Sequence, residues 1–364
     1  MRLFGEELSR RELSRRVGRL EQVAGVRLVT LGDGAERGVR LLEFRTGSGF
    51  EFDVVVDRAF DVGRCEHAGR ALGWQSAVGF AGPWFYEEEG LGFLRNFGGG
   101  LITTCGLDHT LFMAEDTAAQ YHYPPKQTET FGLHGRVSNQ PARLVGYGER
   151  WDGDECVLWA EGEVLQAAVF GEQLLLSRRI EARVGESRLR IHDVVENVGN
   201  DPTPHMYLYH VNAGFPVVDE GSELLVPAVS VEARGDHAVD GYRTLAGPTP
   251  RFVEQVFEHE LRADQDGAVA VAIVNRRLGL GLYERFRLDQ LPHHFVWRML
   301  GEGTYVVGIE PSTNRVAGRL DARWRGELIE LDAGETREYE LELGALVGTD
   351  EIDAFAGASA VPSS

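Results

Sequence analysis

Hydrophobic and polar residues alternate with a period of two along most of this chain. The alternation begins over Val26–Thr30, continues over Val39–Arg45 and Phe52–Val56, and returns over Leu174–Ala182 and Leu189–Asn197. Such alternation predicts strands that bury one face, because successive side chains of a strand point to opposite sides. Turn residues separate the segments about every 8 to 12 positions, which is typical of an all-β sandwich.

The two ends of the chain add little to this pattern. Helical periodicity is weak and predicts only a short helix near residues 6–17. Near the other end, Leu328–Leu331 and Tyr339–Leu343 flank the turn sequence Asp-Ala-Gly-Glu, which predicts a β-hairpin. We expect a tail that is disordered after about Phe355, because small residues dominate there.

The charge of the chain limits its partners. Acidic residues outnumber basic ones by 57 to 37, which gives a net charge of −20. A surface this acidic repels phosphate backbones and anionic lipid, so neither nucleic acid nor a membrane is an expected partner. Lys126 is the lone lysine and lies in a proline-flanked loop, which matches neither a phosphate-binding loop nor a Schiff-base site.

Cysteine usage and the N-terminal sequence indicate a compartment. Cys65, Cys105 and Cys156 are scattered and contain no C-x-x-C pair, so they predict no disulfide framework. The first residues lack the apolar core of a signal peptide, and no stretch reaches the roughly 18 apolar residues of a membrane span. We expect a reducing, cytoplasmic setting.

Two segments in the first half of the chain carry candidate chemistry. A glycine triplet within Arg95–Leu107 fits a phosphate cradle or, as we favour, a sharp strand entry that needs positive φ. His134 lies between Gly132 and Gly135, which suits either a ligand contact or a turn histidine bonded to backbone. Between them, residues 108–130 form a long irregular stretch containing His109 and His122, and such loops often line a site.

Two further candidate segments lie in the second half. His210 and Asn212 share one strand face because they are two positions apart, whereas His205 has the opposite parity. Glu310 ends the apolar strand Tyr305–Ile309, where it is either half-desolvated and catalytic or a solvated strand end. Pro311 is expected to end the sheet pairing.

These segments, in this order, resemble the galactose mutarotase-like superfamily, and within it a bacterial aldose 1-epimerase-related family of unknown function. The motifs are D-R-A-F-D at Asp57–Asp61, G-G-G-L-I-T-T-C-G-L, L-H-G-R, Y-H-x-N-x-G-x-P and G-I-E-P. The resemblance spans residues 24–346 and implies one β-supersandwich domain of antiparallel strands. It leaves residues 1–23 as a helical lead-in and 347–364 as a tail.

The resemblance also implies roles. His210 matches the general acid and Glu310 the general base of a cofactor-free sugar ring opening, and His134 matches the histidine that holds sugar hydroxyls. We expect the two catalytic side chains to face each other across a sugar ring on an open concave surface, about 5 to 8 Å apart. Further substrate contacts are expected from Arg136, Asn212, Arg58, Arg95, Trp297 and, weakly, Asp240.

Departures from the family pattern keep other hypotheses open. The glycine triplet replaces the R-G-G-I of sugar-phosphate mutarotases, so a phosphorylated hexose is disfavoured. The same acid and base could instead enolise, epimerise or eliminate on an oxidised sugar, or the chain could bind sugar without catalysis. Two imidazoles and a carboxylate at His134, His210 and Glu310 could also hold a zinc-like ion, although we expect no metal or cofactor. The expected partner is a small carbohydrate, and the sequence does not decide between a monomer and a homodimer.

Overall fold

A computed structural model describes residues 1–119, 121 and 126–359 of this chain. His122 lies outside the described residues. The strands of the first half are β1 (Arg2–Leu3), β2 (Glu6–Glu7), β3 (Gly25–Thr30), β4 (Arg40–Arg45), β5 (Phe50–Val55), β6 (Asp61–His67), β7 (Arg70–Ala71), β8 (Trp74–Gln75), β9 (Gly99–Gly100), β10 (Ile102–Cys105), β11 (Ala114–Thr117), β12 (Thr128–Phe131), β13 (Arg143–Asp152) and β14 (Glu155–Ala167).

Thirteen further strands follow in the described part of the second half. They are β15 (Gln173–Arg183), β16 (Arg188–Asn197), β17 (Thr203–His205), β18 (Leu208–Gly214), β19 (Glu223–Leu225), β20 (Ala228–Ala233), β21 (Gln255–Leu261), β22 (Ala268–Asn275), β23 (Leu280–Arg287), β24 (His293–Gly301), β25 (Thr304–Ser312), β26 (Ile329–Leu331) and β27 (Thr336–Val347). The α-helices are α1 (Arg10–Ser14), α2 (Arg319–Arg325) and α3 (Thr349–Ser359). Single 3₁₀ turns lie at Leu20–Gln22, Gly34–Glu36, Pro83–Phe85, Gly92–Arg95 and Val137–Asn139.

The strands form three larger sheets, and every pair of neighbouring strands in them is antiparallel. The eight-stranded sheet has the order β13-β14-β15-β16-β27-β23-β22-β19, and the six-stranded sheet has the order β10-β18-β25-β24-β21-β20. A five-stranded sheet, β3-β4-β5-β6-β7, follows the chain order. The expected all-β sandwich is confirmed.

Alternating burial builds the core between the sheets. In β15 every second residue is buried, including Leu174, Leu176 and Ile180, while the residues between them are more exposed. Val211 of β18 and Ile309 of β25 belong to the same apolar cluster, although they come from the six-stranded sheet. The period-two pattern of the sequence therefore marks the faces that the two sheets bury against each other.

The D-R-A-F-D motif has a structural role at both of its aspartates. Asp57 accepts hydrogen bonds from the backbone and guanidinium of Arg40. Asp61 accepts from Arg178 at 2.6 Å, and Arg178 also donates to both carboxylate oxygens of Asp193 at 2.8 and 2.7 Å. Because Arg178 and both partner carboxylates are buried, this network joins β6, β15 and β16 inside the core.

Three local predictions are wrong. Leu328–Leu331 and Tyr339–Leu343 do not form a hairpin, because β26 pairs with β17 whereas β27 pairs with β16. The stretch after Asp108 is not entirely irregular, since β11 pairs with β12. Residues 356–359 continue α3 instead of being disordered, and Ile352 of this helix is buried against the eight-stranded sheet.

The N-terminal helix is shorter than predicted. It spans Arg10–Ser14, and Glu6–Glu7 form a strand instead. Ser9 begins the helix with a capping box, in which its hydroxyl accepts from the backbone of Glu12 and the Glu12 carboxylate accepts from the backbone of Ser9. That local hydrogen bonding fixes the start of the helix later in the chain than hydrophobic spacing indicates.

Candidate active site

The register of two neighbouring strands brings His210 and Glu310 together. Val211 pairs with Ile309 and Leu208 with Ser312 across β18 and β25, which places His210 opposite Glu310. His210 Nε2 lies 3.4 Å from Glu310 Oε1, and both side chains are about 95% buried. The expected separation of 5 to 8 Å on an open surface is therefore wrong, because directly opposed cross-strand side chains meet.

Gly308 makes room for this His210–Glu310 pair. It lies opposite Asn212 on β18 and opposite Trp297 on β24, so all of them share one face of the six-stranded sheet. A Cβ atom added at Gly308 would lie 2.4 Å from Glu310 Oε1 and 3.3 Å from His210 Cε1. The Glu310 carboxyl group therefore occupies the space that a side chain at position 308 would fill.

His134 approaches the pair from the loop after β12. Its backbone has a φ of 60°, and its amide donates to the carbonyl of Leu111 at 2.7 Å. The His134 ring meets the His210 ring edge-on, with centroids 5.6 Å apart. The L-H-G segment thus brings its histidine to the site, as the sequence predicts.

Aromatic rings line the site on either side of the histidines. Trp297 and Phe97 each meet the His210 ring with centroids 5.3 Å apart, and Phe93 lies 5.0 Å from the His134 ring. The sequence predicts the position of Trp297 but not those of Phe93 and Phe97. Their one sequence signal is their place shortly before the glycine triplet, which Phe97 directly precedes.

Several buried polar atoms of this site have no hydrogen-bond partner among the described residues. They are Nδ1 of His134, Nδ1 of His210, Oδ1 of Asn212 and Oε1 of Glu310. The amide of Asn212 is anchored, because its Nδ2 donates to the carbonyls of Gly100 and His210. Buried polar atoms are normally paired, so a cluster of unpaired ones marks a place where a polar ligand would satisfy them.

Burial moves the proton affinities of the pair in opposite directions. Desolvation, with smaller contributions from Glu284 and Glu254, raises the pKa of Glu310 to about 8. Desolvation lowers the pKa of His210 to about 4, and it lowers that of His134 well below its ordinary value. Near neutral pH Glu310 therefore carries its titratable proton, while the imidazoles of His210 and His134 are neutral.

The structure does not bring all predicted contacts to this pair. Arg58 is buried, and its guanidinium donates to the carbonyls of Ser138, Ala81 and Asn96, so it fixes loops rather than facing a sugar. Arg95 is exposed and forms an ion pair with Glu87.

Arg136 and Asp240 are also directed elsewhere. Arg136 is half-buried in ion pairs with Glu172 and Glu88. Asp240 is exposed between β20 and β21, and no hydrogen bond or ring contact among the described residues links it to His210. The six-stranded sheet face itself therefore supplies more of the site than the surrounding arginines do.

Other sequence interpretations have clear outcomes. Gly99 and Gly100 have φ values of 75° and 93°, which confirms the interpretation of the triplet as a strand entry that needs positive φ. His205 is held by the Leu107 carbonyl and the Tyr339 hydroxyl, away from the His210 face. Pro311 does not end the sheet, because β25 continues through it and pairs with His294 of β24.

Two features are absent from the described residues. No group of three or more histidine, cysteine, aspartate or glutamate side chains there is placed to hold a metal ion. In the same part of the chain, no helix is long and apolar enough to cross a membrane.

Comparison with known proteins places the chain in a family. A family model described as "Domain of unknown function (DUF4432)" matches residues 36–345, and no curated protein matches the sequence. A proposed aldose 1-epimerase from Klebsiella pneumoniae is 25% identical, with a TM-score of 0.84 over 93% of this chain and 89% of that chain.

More distant solved structures share the fold. A galactose mutarotase-like protein from Clostridium acetobutylicum has a TM-score of 0.59 at 13% identity, over 88% of this chain and 98% of that chain. A galactose 1-epimerase from Lactobacillus acidophilus has a TM-score of 0.55 at 13% identity, over 89% of this chain and 99% of that chain. The chain therefore has the galactose mutarotase-like sandwich fold and belongs to the family described as a domain of unknown function, DUF4432.

Proposed function

We propose that this protein is a cofactor-free carbohydrate isomerase of the aldose 1-epimerase type, which opens and recloses a cyclic sugar. The observation that carries the proposal is the buried His210–Glu310 pair, at 3.4 Å, in a site with unpaired polar atoms. An acid and a base side by side in a desolvated site are the groups that such a reaction needs. The proposed aldose 1-epimerase from Klebsiella pneumoniae, at a TM-score of 0.84, supports the same activity.

The short distance within the pair suits the chemistry of ring opening. The ring oxygen and the anomeric hydroxyl are both bonded to C1, so an acid and a base that act on them work best as neighbours. The base removes the proton of the anomeric hydroxyl, the C1–O bond to the ring oxygen breaks as C1 becomes a carbonyl, and the acid protonates the released oxygen. Rotation about C1–C2 and the reverse transfers then close the ring to the other anomer.

The protonation states favour Glu310 as the acid and His210 as the base of ring opening. At neutral pH, burial keeps a proton on Glu310 and leaves His210 neutral. This assignment is the reverse of the one that the family resemblance implies. Ring closure uses the two groups in the opposite sense, so one shared proton serves the whole cycle.

The surroundings favour an uncharged sugar. The rings of Trp297, Phe97 and Phe93 offer apolar faces for sugar C–H groups, and the unpaired atoms of Asn212 and His134 suit hydroxyl groups. The predicted arginine contacts are committed to protein carbonyls and carboxylates, as described above. Among the described residues, none of these arginines is therefore available near His210 and Glu310 to bind a phosphate or carboxylate on the sugar.

The test is anomer exchange of a panel of aldoses and keto-sugars, measured by polarimetry and by NMR exchange spectroscopy. We expect acceleration with at least one neutral sugar and a bell-shaped pH profile. Activity should rise through about pH 4 as His210 loses its added proton, and fall through about pH 8 as Glu310 loses its own.

Other outcomes of the same panel would redirect the proposal. Exchange of the C2 hydrogen with deuterated solvent, without anomer exchange, would favour enolisation on the same acid and base. Saturable binding with no acceleration of either process would favour a sugar-binding protein.

A further inference from the structure

A chain of four buried polar side chains lies between the two larger sheets, and the proposed reaction does not use it. Tyr242 contacts His259 Nε2 through its hydroxyl at 3.0 Å, and Nδ1 of His259 faces Nδ1 of His294 at 3.2 Å. His294 Nε2 then lies 2.9 Å from Oε1 of Glu284. His294 belongs to the six-stranded sheet and Glu284 to the eight-stranded sheet, so this series of side-chain contacts joins the two sheets.

The contacts allow two directions of proton donation along these four side chains. Arg243 Nε can only donate, so the Tyr242 oxygen accepts from it at 3.3 Å. In one direction the Tyr242 hydroxyl donates to Nε2 of His259, Nδ1 of His259 donates to Nδ1 of His294, and Nε2 of His294 donates to Glu284. In the other direction a protonated Glu284 donates to Nε2 of His294, and the remaining bonds are reversed up to the Tyr242 oxygen. An ionised Glu284 can only accept, so it requires the first direction.

The inner end of the chain is costly for the fold. The Glu284 side chain is fully buried, its Oε2 has no partner among the described residues, and burial raises its pKa well above the ordinary value. Buried polar groups of this kind are often replaceable by apolar side chains without loss of stability. Stability alone therefore gives no reason for a glutamate at this position.

The position of the chain gives another reason. His294 pairs with Pro311 across β24 and β25, and the next pair in the ladder is Phe295 with Glu310. Side chains alternate between sheet faces, so the His294 side chain points to one face of the six-stranded sheet and Glu310 to the other. Glu284, which contacts His294, lies on the face opposite to Glu310. Two buried carboxyl groups, those of Glu284 and Glu310, thus lie on opposite faces of the six-stranded sheet.

We propose that Tyr242, His259 and His294 position Glu284 behind the His210–Glu310 pair, where the charge of its carboxyl group controls whether Glu310 keeps its proton. The inference rests on the proposed function of Glu310. Glu284 is a positioning residue in this scheme, because it acts on the reaction only through Glu310. Like charges in a poorly solvated interior repel strongly, so ionisation of one carboxyl group hinders that of the other.

Other groups also face these carboxyls and must be accounted for. The titratable or charged groups near Glu310 are His210 on β18, Cys105 on β10, Glu254 before β21, Glu284 on β23 and, beyond His210, His134. The charged neighbours at the outer end of the chain are Arg243 and Arg298, which donate to the hydroxyl and the carbonyl of Tyr242. Those arginines contact Tyr242, which is the side chain of the series farthest from Glu310. Glu284 is the side chain of the series nearest to Glu310.

The experiment follows the side-chain carboxyl signals of glutamate by ¹³C NMR across a pH titration, with the Glu310 signal assigned through Glu310→Gln. In Glu284→Gln we expect Glu310 to ionise at a pH lower by about one unit, a size typical of two partly desolvated charges. The basic limb of the activity profile should move by the same amount. Glu340→Gln removes an exposed carboxylate of β27 and should leave the Glu310 midpoint unchanged.

A wild-type measurement keeps the test valid if Glu284→Gln does not fold. Besides its own titration, the Glu310 signal should shift when Glu284 ionises, and ¹⁵N NMR above that pH should show His259 protonated at Nδ1 and His294 at Nε2. A Glu310 signal that is insensitive to Glu284, in the wild type or the variant, would overturn the inference. Because these readouts need no turnover, they remain decisive even if Glu310→Gln proves fully active and the proposed function fails.

Discussion

Two buried clusters of ionisable side chains differ in how completely they are paired. Arg178, Asp61 and Asp193 lie in the core, and each carboxylate is met by several donors, including the hydroxyls of Tyr207 and Tyr209 on Asp193. The His210–Glu310 pair is almost as buried, yet each of these two residues keeps a polar atom with no partner among the described residues.

The difference separates a structural role from a chemical one. Complete pairing holds the charges of the first cluster in place, and their removal would leave an uncompensated charge in the core. Incomplete pairing leaves the second cluster with displaced pKa values and with atoms free to contact a substrate. Tyr209 of the first cluster and His210 of the second are consecutive residues of β18, so the rigid network also anchors the reactive one.

The largest expected effect is the loss of activity in Glu310→Gln. Turnover of a confirmed sugar should fall by about 10²- to 10⁴-fold, because the amide cannot transfer the proton. The variant should nevertheless be as stable as the wild type at pH 8, or more stable, since it no longer ionises a buried group. Anomer exchange and urea unfolding measure the two effects.

The pH dependence of unfolding sharpens this prediction. A carboxyl group with a folded pKa raised to about 8 favours folding at low pH, and that contribution is lost as the pH rises from its unfolded pKa to about 8. His210, with a lowered pKa, has the opposite slope below about pH 6.5. Between about pH 6.5 and 8 the stability of Glu310→Gln should therefore fall less than that of the wild type. Unchanged turnover in this variant would mean that the proton donor lies elsewhere.

The second effect concerns the fully paired cluster. Arg178→Met should lower the free energy of unfolding by about 3 to 5 kcal/mol, because Asp61 and Asp193 would stay buried without their cation. Arg179→Met, one residue along β15, removes a partly exposed arginine that pairs with Glu161 and Glu181, and should cost about 1 kcal/mol or less. Equal losses in the two variants, measured by urea unfolding, would show that the buried network contributes nothing special.

The sequence predicts the site only where local pattern carries the information. The period of two places His210 and Asn212 on one face of β18, and the structure agrees. His205 lies instead in the separate strand β17, which pairs with β26, so parity along β18 does not set its direction. The period does not predict that Glu310 stands opposite His210, because pairing between distant strands leaves no local trace. The predicted hairpin near the C-terminus fails for the same reason, since β26 finds its partner in β17.

Side chains in irregular segments were the least predictable. Phe97 follows no periodicity, and its contact with His210 depends on how the segment before β9 folds back over the sheet. Arg58 looks like a sugar ligand because a guanidinium can donate to paired hydroxyls, but each of its three nitrogens donates to a carbonyl from a separate segment of the chain. The burial of a charge is a property of the whole fold, so charge in a motif does not by itself identify a ligand contact.

The smallest expected effect tests whether the pair depends on space as well as on chemistry. In Gly308→Ala the new methyl group would meet Glu310 Oε1 at 2.4 Å, so the carboxyl group must move away from His210. A misplacement of this kind should lower turnover by about 10- to 10²-fold with little loss of stability, because the backbone of Gly308 is ordinary strand. Gly148→Ala is the matched control, since a Cβ there comes no closer than 3.8 Å to any neighbour. A full rate with an unshifted pH profile in Gly308→Ala would show that the close approach of Glu310 to His210 is not needed for the reaction.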